Sequence, residues 1–292
     1  MPLTIHLGAH KTATTHLQDC LAEATGDLRA VGVGYIGRMS IRRGAFPLLS
    51  LLGSREDRRG SGGQMDAHIR TLTATCPEIL LSDENMLGPV DRRRLYGAEG
   101  RVYPHAGRRL KRTLKHMVAG PVTLALSIRD PASFNTSMFG YLAGRGNELS
   151  WSDYIDGRDP TVTRWADLVE RLLAVPEVAR VIVWRYEDYR TSRNKILSAM
   201  LPKAVIPKIP DLPPVNLSLS QPALHWLQEE AMRRHEVDLR YLHAQAVALF
   251  PRDGGHAPLQ PMGEGDLARS QANYAAEVDT IRKLPRVTFI DP

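Results

Sequence analysis

The stretch HLGAHKTATTHLQ, residues 6–18, decides how the rest of the chain is read. It continues the apolar run PLTI and merges into TTHLQDCLAEA, where apolar residues recur at helical spacing. A compact apolar run closed by glycine predicts a short buried strand, so the chain opens as strand, loop and helix. The loop holds Gly8, Ala9, His10, Lys11, Thr12, Ala13, Thr14 and Thr15. Glycine at a strand end, followed by amides and hydroxyls at a helix N-terminus, makes an anion site, because unpaired N–H groups and the helix dipole point the same way. Lys11 adds a full positive charge. The same residues also fit a plain capped helix, with Thr12 or Thr14 satisfying the first amides and Lys11 in solvent. A kinase-type phosphate loop needs two glycines around four residues and then Lys-Ser or Lys-Thr, whereas only Gly8 precedes Lys11, at a closer spacing.

Similar strands recur along the chain. EILLS at 78–82, VTLALSIR at 122–129 and RVIVWRY at 180–186 are compact apolar runs, each followed by polar residues and a helical pattern. This alternation predicts an α/β fold with a mainly parallel central sheet. Such sheets hold ligands at the carboxyl ends of their strands, where GAHKTATT, SDEN, RDP and YEDY all fall. In RDPASFNTS, Arg129 projects from a strand tip, Asp130 is placed to cap and Pro131 suits the first helical turn. Ser137 lies on the order of 10 Å along the helix from Arg129, within reach of a long guanidinium. Both can then touch one phosphate, although a surface ion pair and a solvated hydroxyl are the commoner outcome for such residues.

With 292 residues, 43% of them hydrophobic, the chain can bury a full core and is expected to form one domain. Its net charge of +6 favours anionic partners. Cys20 and Cys76 form no disulfide framework and no metal-ligand spacing, and no apolar run is long enough to span a bilayer, so a soluble, cytoplasmic protein is expected. GSREDRRGSGG at 53–63 has no periodicity and predicts a mobile surface connector or a flap. The Pro-rich 201–216 segment predicts a linker, and long helical patterns follow it, with RVTFIDP closing the chain. Arginines and lysines crowd residues 92–116, with Leu110, Leu114 and Met117 at helical spacing, which predicts an amphipathic helix whose charged face offers a secondary grip on an acidic acceptor.

Together, GAHKTATT after the first strand and RDPASFNTS after a later one resemble the PAPS-dependent sulfotransferase family, in its bacterial, carbohydrate-sulfotransferase-like form. WRYEDY is similar to the family's strand ending in Tyr-Glu-Asp, and VNLSLS at 215–220 is similar to a segment of bacterial members. The match runs from Leu3 to about residue 201. The resemblance implies a P-loop-type three-layer fold, a single domain over 1–292 with a nucleotide-binding core at 1–201, and a helical extension at 216–292. It implies transfer of a sulfuryl group from PAPS to a hydroxyl or amine, with a glycan or glycolipid as acceptor, leaving adenosine 3',5'-bisphosphate. It assigns the first loop, Gly8 to Thr15 with Lys11 foremost, to the 5'-phosphosulfate, Arg129 and Ser137 to the 3'-phosphate, and Tyr186 to the adenine.

Sulfuryl transfer needs an in-line nucleophile and a stabilised leaving oxygen but carries less charge than phosphoryl transfer, so no metal is required. Lys11 is the candidate for neutralising the leaving group. Glu84, just past a strand end, is the first candidate for the base that deprotonates the acceptor, with Asp83 and His10 as alternatives. Two departures from the family stand out: Ala13 replaces a glycine, which is strained only at positive φ, and no Arg-Lys-Gly segment closes over the 3'-phosphate. An ATP-dependent kinase on the same plan, or a non-catalytic polyanion binder using the basic 92–115 region, are the other classes. That region lacks the interleaved aromatics and motifs of nucleic-acid binders. Loops at 37–63, 87–102 and 140–160, with the C-terminal helices, are expected to shape the acceptor pocket.

Overall fold

A computed structural model of the chain describes residues 2–117, 120–145, 150–213, 219–234 and 238–292, without the side chains of residues 92 and 93. Six strands form one sheet in the order β2-β3-β1-β4-β5-β6, and every pairing is parallel. These are β1 (Leu3–His6), β2 (Val33–Ile36), β3 (Glu78–Ser82), β4 (Val122–Ile128), β5 (Val178–Arg185) and β6 (Val287–Ile290). The α/β class and the parallel sheet agree with the sequence pattern. VGYI, interrupted by Gly34, and the terminal VTFI, with no fully buried position, do not stand out as strands, yet they add β2 and β6. Gly34 is needed because a Cβ there would lie 2.7 Å from the Leu72 side chain.

The inner strands β1, β3, β4 and β5 are largely buried on both faces, which is why they read as compact apolar runs. Ile79, Leu81, Val181 and Val183 face one core, while Leu80, Ile182 and Trp184 face the other. The larger core is covered by helices Ser61–Thr73, Ala106–Leu114, Pro131–Ala143, Trp165–Leu173 and Glu264–Lys283. Helices Thr14–Glu23, Thr25–Ala30 and Tyr189–Met200 cover the smaller one, where Cys20 is buried.

The chain builds β2 and β3 on one side of β1, then crosses to build β4, β5 and β6 on the other. The connection after β1 therefore opens at the point where the strand order reverses, the usual crevice of such sheets. The C-terminal part is more than the helical extension expected from the sequence. Helices Gln221–Arg233 and Leu239–Leu249 pack on each other around Leu227, Leu242 and Ala246 in a small cluster of their own. Helix Glu264–Lys283 and β6, in contrast, return to the main core and the sheet edge. The expected linker is also packed in its first half, where Val205 and Ile209 join the smaller core. Most of the VNLSLS resemblance, residues 215–218, lies outside the described residues.

The 53–63 segment is an ordered turn rather than a featureless connector. Ser54 N–H donates to Asp57 Oδ2 at 2.8 Å, Asp57 N–H to Ser54 Oγ at 3.2 Å, and Gly60 (φ 74°) starts the Ser61–Thr73 helix. No helix among the described residues is long and apolar enough to cross a membrane.

Candidate functional site

The β1 loop is held from below by β4. Leu7 and Gly8 N–H groups reach the Ala125 carbonyl, and Ala9 N–H reaches that of Ser127. Gly8 turns the chain at φ 47°, and a Cβ there would sit 2.4 Å from Thr14 Oγ1 and 3.1 Å from His6 Nε2. Both the backbone angle and the close approach demand glycine. Replacing Gly8 by alanine is expected to cost at least about 2 kcal/mol, read as a lowered denaturant midpoint with the slope unchanged.

The threonines do not cap the helix. Thr12 Oγ1 and Thr14 Oγ1 both donate to the Ala9 carbonyl, at 2.6 and 3.1 Å, and the helix starts at an N-cap, Ala13, with no side-chain bond to its amides. The hydroxyls fold the loop back on itself, and the N–H groups from Lys11 to His16 make no hydrogen bond among the described residues. That is the arrangement of an anion cradle rather than of a capped helix.

Ala13 sits in the left-handed region (φ 61°, ψ 18°), as does Lys11 (φ 63°). Alanine in place of glycine is tolerable here only at negative φ; the positive φ that Ala13 adopts stores strain of about 1–2 kcal/mol. Ala13→Gly should relieve it, less the extra freedom glycine has when unfolded, for a net gain of up to about 1 kcal/mol in chemical denaturation.

Arg129, one residue past β4, leans over the loop. Its Nη1 donates to the Lys11 carbonyl and its Nε to Ser133 Oγ, both at 2.6 Å, while the guanidinium stacks 4.3 Å from the centre of the Tyr186 ring. The sequence paired Arg129 with Ser137; the hydroxyl it bonds is Ser133, one turn earlier on the same helix face. Asp130 caps that helix by accepting from Ser133 N–H, as expected, and Tyr186 sits beside Arg129. Burial pushes the Lys11 ammonium down to about 8, helped by the positive charges of Arg129 and Arg145.

Across β1, the end of β3 carries the acids. Glu84 is nearly buried: Gln18 Nε2 donates to its Oε2 at 3.0 Å and Arg42 Nη2 to its Oε1 at 3.4 Å. Asp83 is fully buried and accepts from Asn85 N–H at 2.8 Å; burial first, and the Glu84 charge second, raise its carboxyl to about 6. Arg109 braces this turn by donating to the carbonyls of Leu52, Asn85 and Met86.

His10 is buried, and burial lowers its imidazole to about 4, so it is neutral at pH 7. The Tyr103 hydroxyl accepts from His10 N–H at 3.0 Å and lies 2.8 Å from Nδ1, which leaves the hydroxyl proton for Nδ1 and the ring proton on Nε2. His10 thus presents a donor at Nε2 rather than a free lone pair, which does not suit it to accept a proton there. His6 is a core residue, bonded to Ser82 Oγ at 2.7 Å and stacked on Trp184. Of the eight buried side-chain atoms without a partner among the described residues, His10 Nε2, Gln18 Oε1, Asp83 Oδ2 and Ser127 Oγ belong to this strand-end region. Polar atoms left unpaired in one place are what a polar ligand would satisfy.

Several rim residues were not found from the sequence. Tyr141 lies under two cations, with Lys11 Nζ 5.0 Å and the Arg145 guanidinium 4.5 Å from its ring. The signal was present as the four-residue spacing of Ser133, Ser137, Tyr141 and Arg145, which puts them along one helix face. His243, from the C-terminal helix pair, packs so closely on Gly144 that a Cβ there would lie 2.1 Å from its ring, and burial and the Lys11 charge lower its imidazole. Arg252, just beyond that pair, is near enough for its charge to act on Arg129. The C-terminal helices are expected from the sequence to help shape the acceptor pocket, but no pattern singles out these two residues.

His16, Cys20 and Asp211 form a further group, with one ligand atom from each lying within 4.8 Å of the others. Both His16 nitrogens are committed, to the Tyr189 hydroxyl at 2.9 Å and the Leu212 carbonyl at 2.6 Å, and Asp211 pairs with Arg193. The group therefore serves as a clamp between the first helix and residues 209–212. The chain matches no protein-family model, no curated protein and no solved structure. What the site defines by itself is a strand-end loop with free amides and two neighbouring cations in a parallel α/β sheet, faced by a carboxylate pair.

Proposed function

We propose that the protein is a PAPS-dependent sulfotransferase of P-loop-type three-layer fold, acting on a hydroxyl or amine of an acceptor, with glycans and glycolipids as the leading class. One observation carries the reading: the Arg129 guanidinium from β4 is bonded to the carbonyl of Lys11 in the β1 loop, so adjacent strands bring two cations to one rim. A donor with a phosphosulfate at one end and a separate phosphate on its ribose calls for two such cations. PAPS supplies an activated sulfuryl group and leaves as adenosine 3',5'-bisphosphate. In this reading the free loop amides and Lys11 stabilise charge growing on the leaving oxygen. Arg129, bonded to Ser133 and with Ser137 one turn further along the helix, holds the second phosphate. The Tyr186 ring borders the adenine, and Glu84 takes the acceptor proton. The same reading takes the protein as cytoplasmic, in keeping with free, buried Cys20 and Cys76.

The test is transfer of labelled sulfate from PAPS to a panel of glycans, glycolipids and phenols, alongside calorimetry with the bisphosphate, ATP and DNA. Transfer and tight bisphosphate binding are expected. Binding of ATP but not of the bisphosphate would overturn the proposal in favour of a kinase. That second reading has one observation of its own: Asp83 follows β3 directly and keeps Oδ2 unpartnered, as an acidic magnesium ligand would.

The lysine also predicts a pH dependence. Lys11 loses its charge as pH rises through about 8, while a bound anion would hold it protonated. Bisphosphate affinity should accordingly be nearly flat below pH 7.5 and fall roughly tenfold between pH 7 and 9. Proton uptake should appear in calorimetry at pH 9, and Lys11→Arg should flatten the profile.

A further inference from the structure

A groove away from the β1 loop carries a separate cationic surface. It encloses about 590 Å³ between the start of helix Ser61–Thr73, with the 53–60 turn before it, and helix Ala106–Leu114 with the residues after it. That volume is in the range of small-ligand sites. Its lining includes Arg58, Arg108, Lys111, Arg112, Lys115 and His116, and no carboxylate. Residues 108, 111, 112 and 115 recur at helical spacing and so share one face, while Leu110 and Leu114 face the core. Arg58 completes the set from the opposite wall, bonded through Nη1 to the Gly53 carbonyl.

Like charges at four-residue spacing, here Arg108 with Arg112 and Lys111 with Lys115, oppose the helix rather than support it. Favourable placement near a helix C-terminus accounts for Lys111 and Arg112 but not for the convergence of Arg58 from another element. No ion pair among the described residues neutralises Lys111, Arg112 or Lys115. His116 packs closely on Gly62, where a Cβ would come 2.4 Å from the ring, so that position of the far wall has to stay without a side chain.

We propose that this groove binds a sulfated oligosaccharide, independently of the β1 loop. The chemistry of the walls selects that occupant. Leu51 is the one aliphatic residue of the lining, and apart from the His116 imidazole no aromatic ring is present on which bases could stack, which disfavours single-stranded nucleic acid. A concave wall without exposed large apolar side chains also gives a lipid surface nothing to hold. Arginine and lysine at several heights along one wall match an anion repeated along a chain. On the flank of the same helix, Arg109 bonds the Leu52 carbonyl and the Asn85 and Met86 carbonyls, which ties this helix to the turn that carries Glu84.

The test is calorimetry of the full chain with a chemically defined sulfated hexasaccharide, its unsulfated counterpart and a single-stranded oligonucleotide of equal charge. Lys111→Glu/Lys115→Glu changes exposed residues; Arg58→Ala on the other wall is the second variant, and Lys11→Ala reports on the loop. Binding of the sulfated sugar alone is expected, weakened at least tenfold by the double variant, several-fold by Arg58→Ala and by added salt, and unchanged by Lys11→Ala. Equal affinity in both groove variants, loss in Lys11→Ala, or tighter binding of the oligonucleotide overturns the proposal. Because the readout is direct binding without PAPS, failure of the donor reading leaves this result standing, and the reverse.

Discussion

Lys11→Ala and Arg129→Ala are each expected to weaken binding of adenosine 3',5'-bisphosphate by about 2–5 kcal/mol, roughly thirtyfold to several thousandfold. The size follows from burial. Both cations are half-buried and stand where water screens them poorly, so their attraction to a phosphate is strong and their loss leaves that phosphate facing unpaired amides. The two variants should not be additive. Arg129 donates to the Lys11 carbonyl, so removing its guanidinium also releases the loop that presents the lysine. Serine variants divide the roles further. Ser133→Ala removes the acceptor that orients Arg129 Nε and should weaken binding several-fold, whereas Ser137→Ala has an effect only if that hydroxyl meets the phosphate itself. Calorimetry on the four single variants and the Lys11→Ala/Arg129→Ala pair measures all of this. Wild-type affinity in Arg129→Ala would remove the second-phosphate assignment, and wild-type affinity in Lys11→Ala would remove the loop from the donor site.

How far the sequence reached depends on whether the deciding force is local. Buried parallel strands announce themselves, because both faces select apolar residues, and β3, β4 and β5 were located to within two residues of their ends. β6 was invisible because four residues after a long helix carry no periodicity of their own, and it forms only by pairing with β5. The same holds within the site. Lys11, Arg129 and Glu84 follow strand ends, so topology delivers them to one rim. That Thr12 and Thr14 turn inward to the Ala9 carbonyl, and that Ala13 takes a left-handed angle, depends on β4 pulling the loop down through Leu7, Gly8 and Ala9. Local capping preference lost to a tertiary contact. His243 reaches the rim through a helix pair whose small separate core gives no hint of where it docks.

Glu84→Gln is expected to lower kcat for sulfate transfer by about 10²–10⁴, with bisphosphate affinity unchanged. Asp83→Asn should lower it less than tenfold. The distinction rests on what each carboxyl can touch. Asp83 is fully buried and spends Oδ1 as the cap of its own turn, a job the asparagine carbonyl can keep. Glu84 is oriented by Gln18 and Arg42, and the Arg42 side chain is half-exposed, so that end of the carboxylate lies next to solvent and to an incoming acceptor. The pair also makes opposite predictions for stability. Asp83 has its carboxyl raised to about 6, so its ionised form costs stability once pH exceeds the unfolded value near 4, with the full cost above about 6. Asp83→Asn removes that cost and should be more stable than the parent at pH 7, with the difference vanishing below pH 4. Glu84→Gln keeps the bond to Gln18 but loses the Arg42 ion pair, and gains no such stability. Retained turnover in Glu84→Gln, together with loss in Asp83→Asn, would transfer the base role to Asp83, since only a group that takes the acceptor proton slows kcat without changing how tightly the bisphosphate binds.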